Sequence, residues 1–100
     1  FPDLILGNND GETAESSIIE IALQTLTKSH LNVQHNHPFK GGYLTRSKGN
    51  PSANIHALQL EMSKDLYMSN NELEYDEKKA EVIKQVLNET FTNLISYIHE

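Results

Sequence analysis

Residues 4–11 read LILGNNDG, a short apolar run that ends at Gly7 and is followed by turn-forming residues. An apolar run of this length predicts a minimal buried strand, and the Asn-Asn-Asp-Gly cluster predicts a turn after it. From Thr13 to Ser29 the apolar residues recur at helical spacing, which predicts an amphipathic helix. Leu31–Asn36 then alternates and predicts a second strand. Strand, helix and strand in so short a stretch favour a right-handed βαβ crossover with a parallel strand pair.

The rest of the chain predicts a long loop, a third strand and a long helix. His37–Ala53 has no periodicity, although its residues 43–45 could form a short strand, and a loop of this length is uncommon unless it has a function. Asn54–Met62 predicts the third strand, and the turn-forming residues Ser69-Asn70-Asn71 predict a further break in the chain before the last helix. Glu77–Ile98 predicts a helix capped by Asp76. Its apolar residues at helical spacing predict one buried face, made of Ala80, Ile83, Leu87, Phe91, Leu94 and Ile98.

The predicted fold class is α/β, with too few strands for a complete open sheet. Such sheets are covered by helices on both faces and usually contain more strands than the three found here. The chain also begins with Phe1 rather than with an initiator methionine. We therefore expect residues 1–100 to be one part of a larger α/β domain whose upstream half is absent.

Composition excludes several classes of function. The 100 residues contain 8 Lys and Arg against 14 Asp and Glu, and the net charge of −6 disfavours binding to nucleic acid. Cysteine is absent, which excludes disulfides and thiolate chemistry. No apolar run approaches the ~18 residues of a membrane span, and no secretory signal pattern is present. These features lead us to expect a cytoplasmic protein that does not interact with membranes.

The stretch HALQLEMSKDLYM, residues 56–68, places a carboxylate in an otherwise apolar strand. Leu58, Leu60 and Met62 share one face at a period of two, and Gln59 and Glu61 share the other with Ala57. Glu61 could face water or pair with Lys64, since charged side chains are mostly exposed. It could instead be a general base at the carboxyl end of a parallel strand, where open α/β sheets bind ligands. Periodicity leaves both interpretations open.

Two further patterns could carry chemistry. His35 and His37 would point the same way on a strand and could share a metal ion, but zinc takes three or four ligands and no third is evident nearby. In the loop PFKGGYLTRSKGNP, residues 38–51, Gly41-Gly42 permits close approach to a ligand, and Arg46 could bind a carboxylate through two hydrogen bonds. The alternative is an ordinary exposed loop with scattered cations.

Three motifs together resemble one family. PDLILGNNDG, NHPFKGGYLTRSKGNP and HALQLEMSKDLYM resemble, in order and spacing, the carboxyl-terminal half of N-formylglutamate amidohydrolases over about residues 2–70. The resemblance implies a zinc-dependent amide hydrolase that converts N-formyl-L-glutamate to formate and L-glutamate in histidine degradation. It also implies a three-layer α/β/α sandwich with a mostly parallel mixed sheet, similar to zinc carboxypeptidases. The zinc ligands are implied to lie upstream, with none in this chain, so the fragment alone should be inactive.

The resemblance also implies roles for individual residues. Glu61, in the QLE motif, is similar to the carboxylate that takes a proton from water and passes it to the leaving nitrogen. The small acidic amide substrate is implied to contact a set of binding residues, with Arg46 holding a carboxylate. That set comprises Arg46, Asn36, His56, Gly42 and Tyr43.

Other functions remain open. A carboxypeptidase-like peptidase, or an amidohydrolase for another N-acyl amino acid, would share the fold and the base. A non-catalytic domain that binds a small acid or a protein is an alternative of a different class. In each case Leu58, Leu60 and Met62 lack cover within so small a piece, so we expect exposed apolar surface or self-association.

Overall fold

The computed structural model describes residues 2–69 and 74–99. The elements, in chain order, are strand β1 (Leu4–Gly7), helix α1 (Ser16–Thr27), strand β2 (Val33–His35), helix α2 (Tyr43–Lys48), strand β3 (Gln59–Met62) and helix α3 (Glu77–Ile98). Short 3-10 helices cover Pro51–Ala53 and Lys64–Leu66. Apart from α2, the order of elements is the predicted one. Asn70 and Asn71, where the chain was predicted to break, lie outside the described residues.

The sheet is mixed, with β1 in the centre of the order β2-β1-β3. β1 and β2 are parallel, with Leu4 opposite Val33, so the predicted βαβ unit is confirmed. β3 is antiparallel to β1 and places Glu61 opposite Ile5. The expectation that Glu61 ends a parallel strand is therefore wrong, because the segment between β2 and β3 starts and finishes at the same end of the sheet, where β1 also ends. The described strands thus form one parallel and one antiparallel pair.

The core lies between one face of the sheet and the helices. Leu6 of β1 forms a buried cluster with Ile19 and Ala22 of α1, and Leu60 of β3 and Leu94 of α3 pack against it. Leu60 lies opposite Leu6 in the β1–β3 register, so both point to this face. α1 and α3 therefore cover the same side of the sheet. Residues of alternate position, including Glu61, point to the opposite face.

The expected lack of cover on the predicted third strand holds for Met62 but is wrong for Leu58 and Leu60. Leu58 packs with Leu60 against the buried cluster. Met62, at the end of the strand, keeps 37% of its surface exposed. Exposed apolar side chains also occur on α2 and α3; they include Tyr43, Leu44, Val82, Phe91 and Ile95.

Helix α3 begins and ends where the sequence predicted. Asp76 is its N-cap, and the Asp76 carboxylate accepts a hydrogen bond from the backbone N–H of Lys79 at 3.0 Å. Such a cap satisfies one of the free N–H groups of the first turn. No helix among the described residues has both the length and the apolar character needed to cross a bilayer.

The buried face of α3 is narrower than its apolar pattern. Ala80 and Ile83 are buried as predicted, but Phe91 is 51% exposed and Ile98 is 46% exposed, so these two predictions are wrong. Thr90 is buried instead, and its hydroxyl donates to the Val86 carbonyl at 2.8 Å. The difference arises because α3 packs on α1 along one stripe, while its apolar residues extend beyond that stripe.

The segment predicted as a loop packs closely on the sheet and contains α2. Residues 43–45 form the first turn of this helix, so the suggestion of a short strand there is wrong. Gly7 lets the segment approach, since a Cβ at Gly7 would lie 2.5 Å from the carbonyl oxygen of Lys40. The same Lys40 carbonyl accepts a hydrogen bond from the Asn9 N–H at 2.9 Å. These contacts hold residues 40–42 over the end of β1.

Candidate active site

A pair of asparagines joins the ends of β1 and β2. Asn8 is only 2% exposed, and its backbone N–H donates to Asn36 Oδ1 at 2.9 Å. Asn36 Nδ2 donates in return to Asn8 Oδ1 at 2.8 Å, and Asn36 N–H donates to the Leu6 carbonyl. Asn36 has a φ of 59°, a left-handed conformation that asparagine tolerates better than most residues. Both ends of the Asn36 amide therefore face Asn8, and its predicted contact with substrate stays a prediction.

Asn8 also holds the start of α1 and the ring of His35. Its Nδ2 donates to the Ala14 carbonyl at 3.0 Å, and its Oδ1 lies 2.9 Å from His35 Nε2. The same Nε2 lies 3.0 Å from Asn36 Nδ2, so the His35 ring contacts both asparagines. Asn36 and His35 line a cavity of about 470 Å³ between α1 and the strand ends, on the face opposite Glu61.

The two histidines do not form a metal site with other described residues. Asn36, in its left-handed conformation, separates His35 at the end of β2 from His37, so the two do not continue one strand. Within residues 2–69 and 74–99 there is no group of three or more His, Cys, Asp or Glu side chains placed to hold a metal ion.

Glu61 lies partly buried on β3, on the face away from α1 and α3. Its Oε1 accepts a hydrogen bond from Gln59 Nε2 at 2.7 Å. The other end of that amide, Gln59 Oε1, accepts a hydrogen bond from the backbone N–H of Gly42. Neither of the simple alternatives describes Glu61: it is not fully solvated, and among the described residues it forms no ion pair with Lys64.

Arg46 and Tyr43 lie on α2, directly after Gly42. Arg46 Nη1 donates to the Gly41 carbonyl at 2.9 Å, and its backbone N–H donates to Gly42. In the part of the chain that the structure describes, Arg46 has no carboxylate partner. As far as the described residues show, its remaining guanidinium donors are available to an anion. Tyr43, three residues earlier in the same helix, is exposed.

Lys40, a second cation of this segment, already has a partner. Its Nζ lies 2.6 Å from Asp10 Oδ2. The hydrogen bond and the negative charge of Asp10 raise the pKa of Lys40 above its ordinary value. Between these two cations, Arg46 is therefore the better candidate for a ligand carboxylate.

His56 lies at the start of α1, in the segment before β3. Its Nδ1 accepts a hydrogen bond from the Glu15 N–H at 3.3 Å, and its Nε2 lies 2.8 Å from Asn54 Oδ1. Nearby, Thr13 and Ala57 exchange hydrogen bonds that tie this segment to the residues before α1. Both ring nitrogens of His56 thus have partners in the chain, and its predicted role toward substrate is untested.

The structure therefore brings together part of the predicted set. Gly42 is linked through Gln59 to Glu61, and Arg46 and Tyr43 follow Gly42 on α2. Asn36 and His56 hold the ends of other elements. Sequence reasoning missed Gln59 and Asn8. The signal for Gln59 was its position on the same face of the strand as Glu61; its contact with Gly42 was not visible locally.

The comparisons with known proteins cover the same elements. A sequence model of the N-formylglutamate amidohydrolase family matches residues 1–68, from β1 through Glu61. The chain belongs to this family. An N-formylglutamate deformylase of Pseudomonas putida is 33% identical over 100 residues, a match that covers 97% of this chain and 37% of that protein. The corresponding deformylase of Pseudomonas aeruginosa is 30% identical over 103 residues, covering 100% of this chain and 38% of that protein.

The structural comparison agrees with the family assignment. A crystal structure of N-formylglutamate amidohydrolase from Ralstonia eutropha JMP134 matches with a TM-score of 0.84 at 27% identity. The match covers 99% of this chain, so it includes α3, and 35% of that chain. The chain thus spans 37–38% of the length of the curated deformylases.

Proposed function

We propose that this chain supplies the general base, Glu61, and the carboxylate-binding residue, Arg46, of an enzyme that hydrolyses N-formyl-L-glutamate to formate and L-glutamate. The observation that carries the proposal is the continuous path from Arg46 and Gly42 through Gln59 to Glu61. The path supports the proposal because it connects a hydrogen-bonded carboxylate, through Gln59 and the backbone of residues 41–42, to a cation that has no carboxylate partner among the described residues. Because the chain spans 37% of one deformylase, we further propose that it is one part of a longer polypeptide. That polypeptide, at the length of its relatives, is called the full-length polypeptide below.

Glu61 acts as the general base in this proposal. Its Oε1 is engaged by Gln59, which leaves Oε2 to accept a proton from the attacking water. The water oxygen bonds to the formyl carbon, the carbon–nitrogen bond breaks, and Glu61 returns the proton to the leaving nitrogen. A positioned base and acid of this kind contributes roughly 10²–10⁴-fold to a rate.

Substrate recognition is assigned to α2 and the residues before it. N-formyl-L-glutamate has two carboxylates, and Arg46 can hold one of them in a two-pronged, charge-assisted hydrogen bond. Gly42 and Tyr43 shape the pocket beside it. Asn36 and His56 orient the substrate or stabilise the tetrahedral intermediate in this proposal. Their present hydrogen bonds within the chain would then have to be shared with the ligand or exchanged for it.

The zinc ion implied by the family resemblance does not fit the described residues alone, because they contain no cluster of metal-binding side chains. We propose that its ligands lie in the part of the full-length polypeptide outside this chain. The same part would supply the third layer of a carboxypeptidase-like sandwich and the cover for the exposed apolar side chains. In this proposal Glu61 only transfers a proton, and Arg46 only binds a carboxylate of the substrate.

The setting of the reaction follows from the substrate and the composition. Formylglutamate hydrolysis would complete a histidine degradation route. The absence of cysteine fits a reducing cytoplasm, where we propose that the enzyme works.

A substrate panel tests the function. The full-length polypeptide should release formate from N-formyl-L-glutamate in preference to N-acetyl-L-glutamate, N-formylglycine and peptides with a free carboxyl terminus. Arg46→Ala should chiefly raise KM, because it removes ground-state binding. Lys48→Ala is the matched control, since Lys48 is an exposed cation on the same helix.

Three outcomes would contradict parts of the proposal. Faster cleavage of peptides or of other acyl amino acids would favour the related hydrolases. Absence of any hydrolysis, with retained binding of glutamate-like acids, would favour a binding domain. Equal effects of Arg46→Ala on N-formyl-L-glutamate and N-formylglycine would argue against a contact between Arg46 and the side-chain carboxylate.

A further inference from the structure

The side chain of Gln59 connects the segment before α2 to the proposed base. Its Oε1 accepts from the backbone N–H of Gly42, and its Nε2 donates to Glu61 Oε1 at 2.7 Å. We infer that Gln59 is a positioning residue that aligns the Glu61 carboxylate. It also couples Glu61 to Gly42 and α2, which are proposed to bind a carboxylate of the substrate. The inference deepens the proposed function and rests on it.

The chemistry of its neighbours fixes the orientation of the Gln59 amide. A backbone N–H can only donate, so the atom facing Gly42 must be the amide oxygen. The amide NH₂ group then faces Glu61, which must accept. Turning the amide over would place two donors together at Gly42 and oppose the Gln59 oxygen to the Glu61 carboxylate. The network therefore holds Glu61 Oε1 as an acceptor and leaves Oε2 without a contact to this amide.

The fold leaves room for this contact at two glycines. Gln59 lies opposite Gly7 in the β1–β3 register, and the Lys40 carbonyl occupies the space that a side chain at Gly7 would fill. A Cβ at Gly42 would lie 3.2 Å from Gln59 Oε1. Backbone from the segment before α2 thus reaches the strand side chain directly, so a shift of that segment on substrate binding would be transmitted to Glu61.

Removing the amide without changing its length tests the inference. In the full-length polypeptide, Gln59→Met should lower kcat for N-formyl-L-glutamate about 10- to 100-fold, as expected for losing a hydrogen bond to a charged group. It should also move the acid limb of the pH–activity profile to higher pH, which loss of stability alone would not do. Gln34→Met is the matched control, because Gln34 is an exposed glutamine on β2. Within the described chain its side-chain amide donates to Asn32 Oδ1 and has no contact with Glu61. Its kcat should stay within about twofold of wild type, and the acid limb of its pH–activity profile should not move.

A second variant separates the two ends of the amide. Gln59→Glu keeps an acceptor for Gly42 but replaces the donor that faces Glu61 with a carboxylate oxygen. At about pH 8, well above the ordinary titration range of glutamate, it should lower kcat while KM stays near wild type. Gln59→Met should raise KM as well, because it releases Gly42. In NMR spectra of the 100-residue chain, the Gly42 amide proton should shift upfield in Gln59→Met and much less in Gln59→Glu.

The outcomes distinguish this inference from the function on which it rests. If Glu61→Gln abolishes turnover but both Gln59 variants keep wild-type kcat and an unmoved acid limb, the positioning role is wrong and the proposed base stands. If Glu61→Gln keeps wild-type turnover, the proposed base is wrong and the positioning role falls with it. An unchanged Gly42 amide shift in Gln59→Met would overturn the coupling without reference to activity.

Discussion

Gly7→Ala should destabilise the chain by forcing residues 40–42 away from the sheet. The new Cβ would lie 2.5 Å from the carbonyl oxygen and 2.7 Å from the carbonyl carbon of Lys40. These atoms belong to the backbone and cannot turn aside, so overpacking should cost about 1–3 kcal/mol. If the segment lifts, the 2.9 Å hydrogen bond from Asn9 N–H to Lys40 is lost as well. That loss adds about 0.5–1.5 kcal/mol.

Urea unfolding and amide hydrogen exchange measure the two parts of this prediction. We expect a loss of about 1.5–4.5 kcal/mol in the free energy of unfolding, with faster exchange of the Asn9 amide. Gly11→Ala is the comparison variant, because Gly11 has a φ of 94° and no atom within 4 Å of its added Cβ. It should cost about 1–2 kcal/mol through backbone strain alone and leave the Asn9 amide protected. A Gly7→Ala chain with wild-type stability and a protected Asn9 amide would refute the close approach of Lys40 to β1.

Three further changes test other parts of the structure. Asn8→Ala should cost about 2–4 kcal/mol in urea unfolding, because a buried side chain with several hydrogen bonds is lost; a change below about 0.5 kcal/mol would contradict its role in joining the strand ends. Asp76→Ala should cost about 1 kcal/mol by removing a helix cap, with faster exchange confined to the first turn of α3; uniform exchange along the helix would count against the cap. The raised pKa of Lys40 means that its ion pair with Asp10 favours folding below the ordinary lysine pKa of 10.5, and this contribution is lost as the pH rises through the folded-state value. Asp10→Asn should therefore reduce the loss of stability in alkaline melts, and an identical alkaline profile would show that the pair is not formed in solution.

Local signals in the sequence predicted the elements whose stability is local. The bounds of α3 follow from the Asp76 cap and a long periodic pattern, and α1 follows from its apolar stripe. The parallel β1–β2 pair follows from the short βαβ pattern. Each of these features depends on a pattern within one continuous stretch of the chain, so a single sequence is enough to find it.

The features that were missed depend on contacts between distant segments. The direction of β3 is set by where the preceding segment, anchored at Thr13, returns to the sheet. α2 is a helix of six residues without a periodic stripe, so no local pattern marks it. The exposure of Phe91 depends on how much of α3 is covered by α1, which the apolar spacing does not define.

The candidate site divides in the same way. Glu61 and Arg46 could be nominated because a carboxylate within an apolar strand and a cation beside a diglycine are unusual in themselves. Gln59 could not, because its amide gains significance only when Gly42 and Glu61 lie on either side of it. Identification of the family depended on three motifs in register rather than on any single residue.

The most direct test of the account is turnover of N-formyl-L-glutamate by the Glu61→Gln variant of the full-length polypeptide. Gln keeps the shape of the side chain and an oxygen for Gln59 but cannot accept the proton from water. We expect formate release to fall by about 10²–10⁴-fold, while binding of L-glutamate, measured by calorimetry, remains within a few-fold of wild type. Formate release within a few-fold of the wild-type rate would show that the base lies elsewhere and would contradict the central claim.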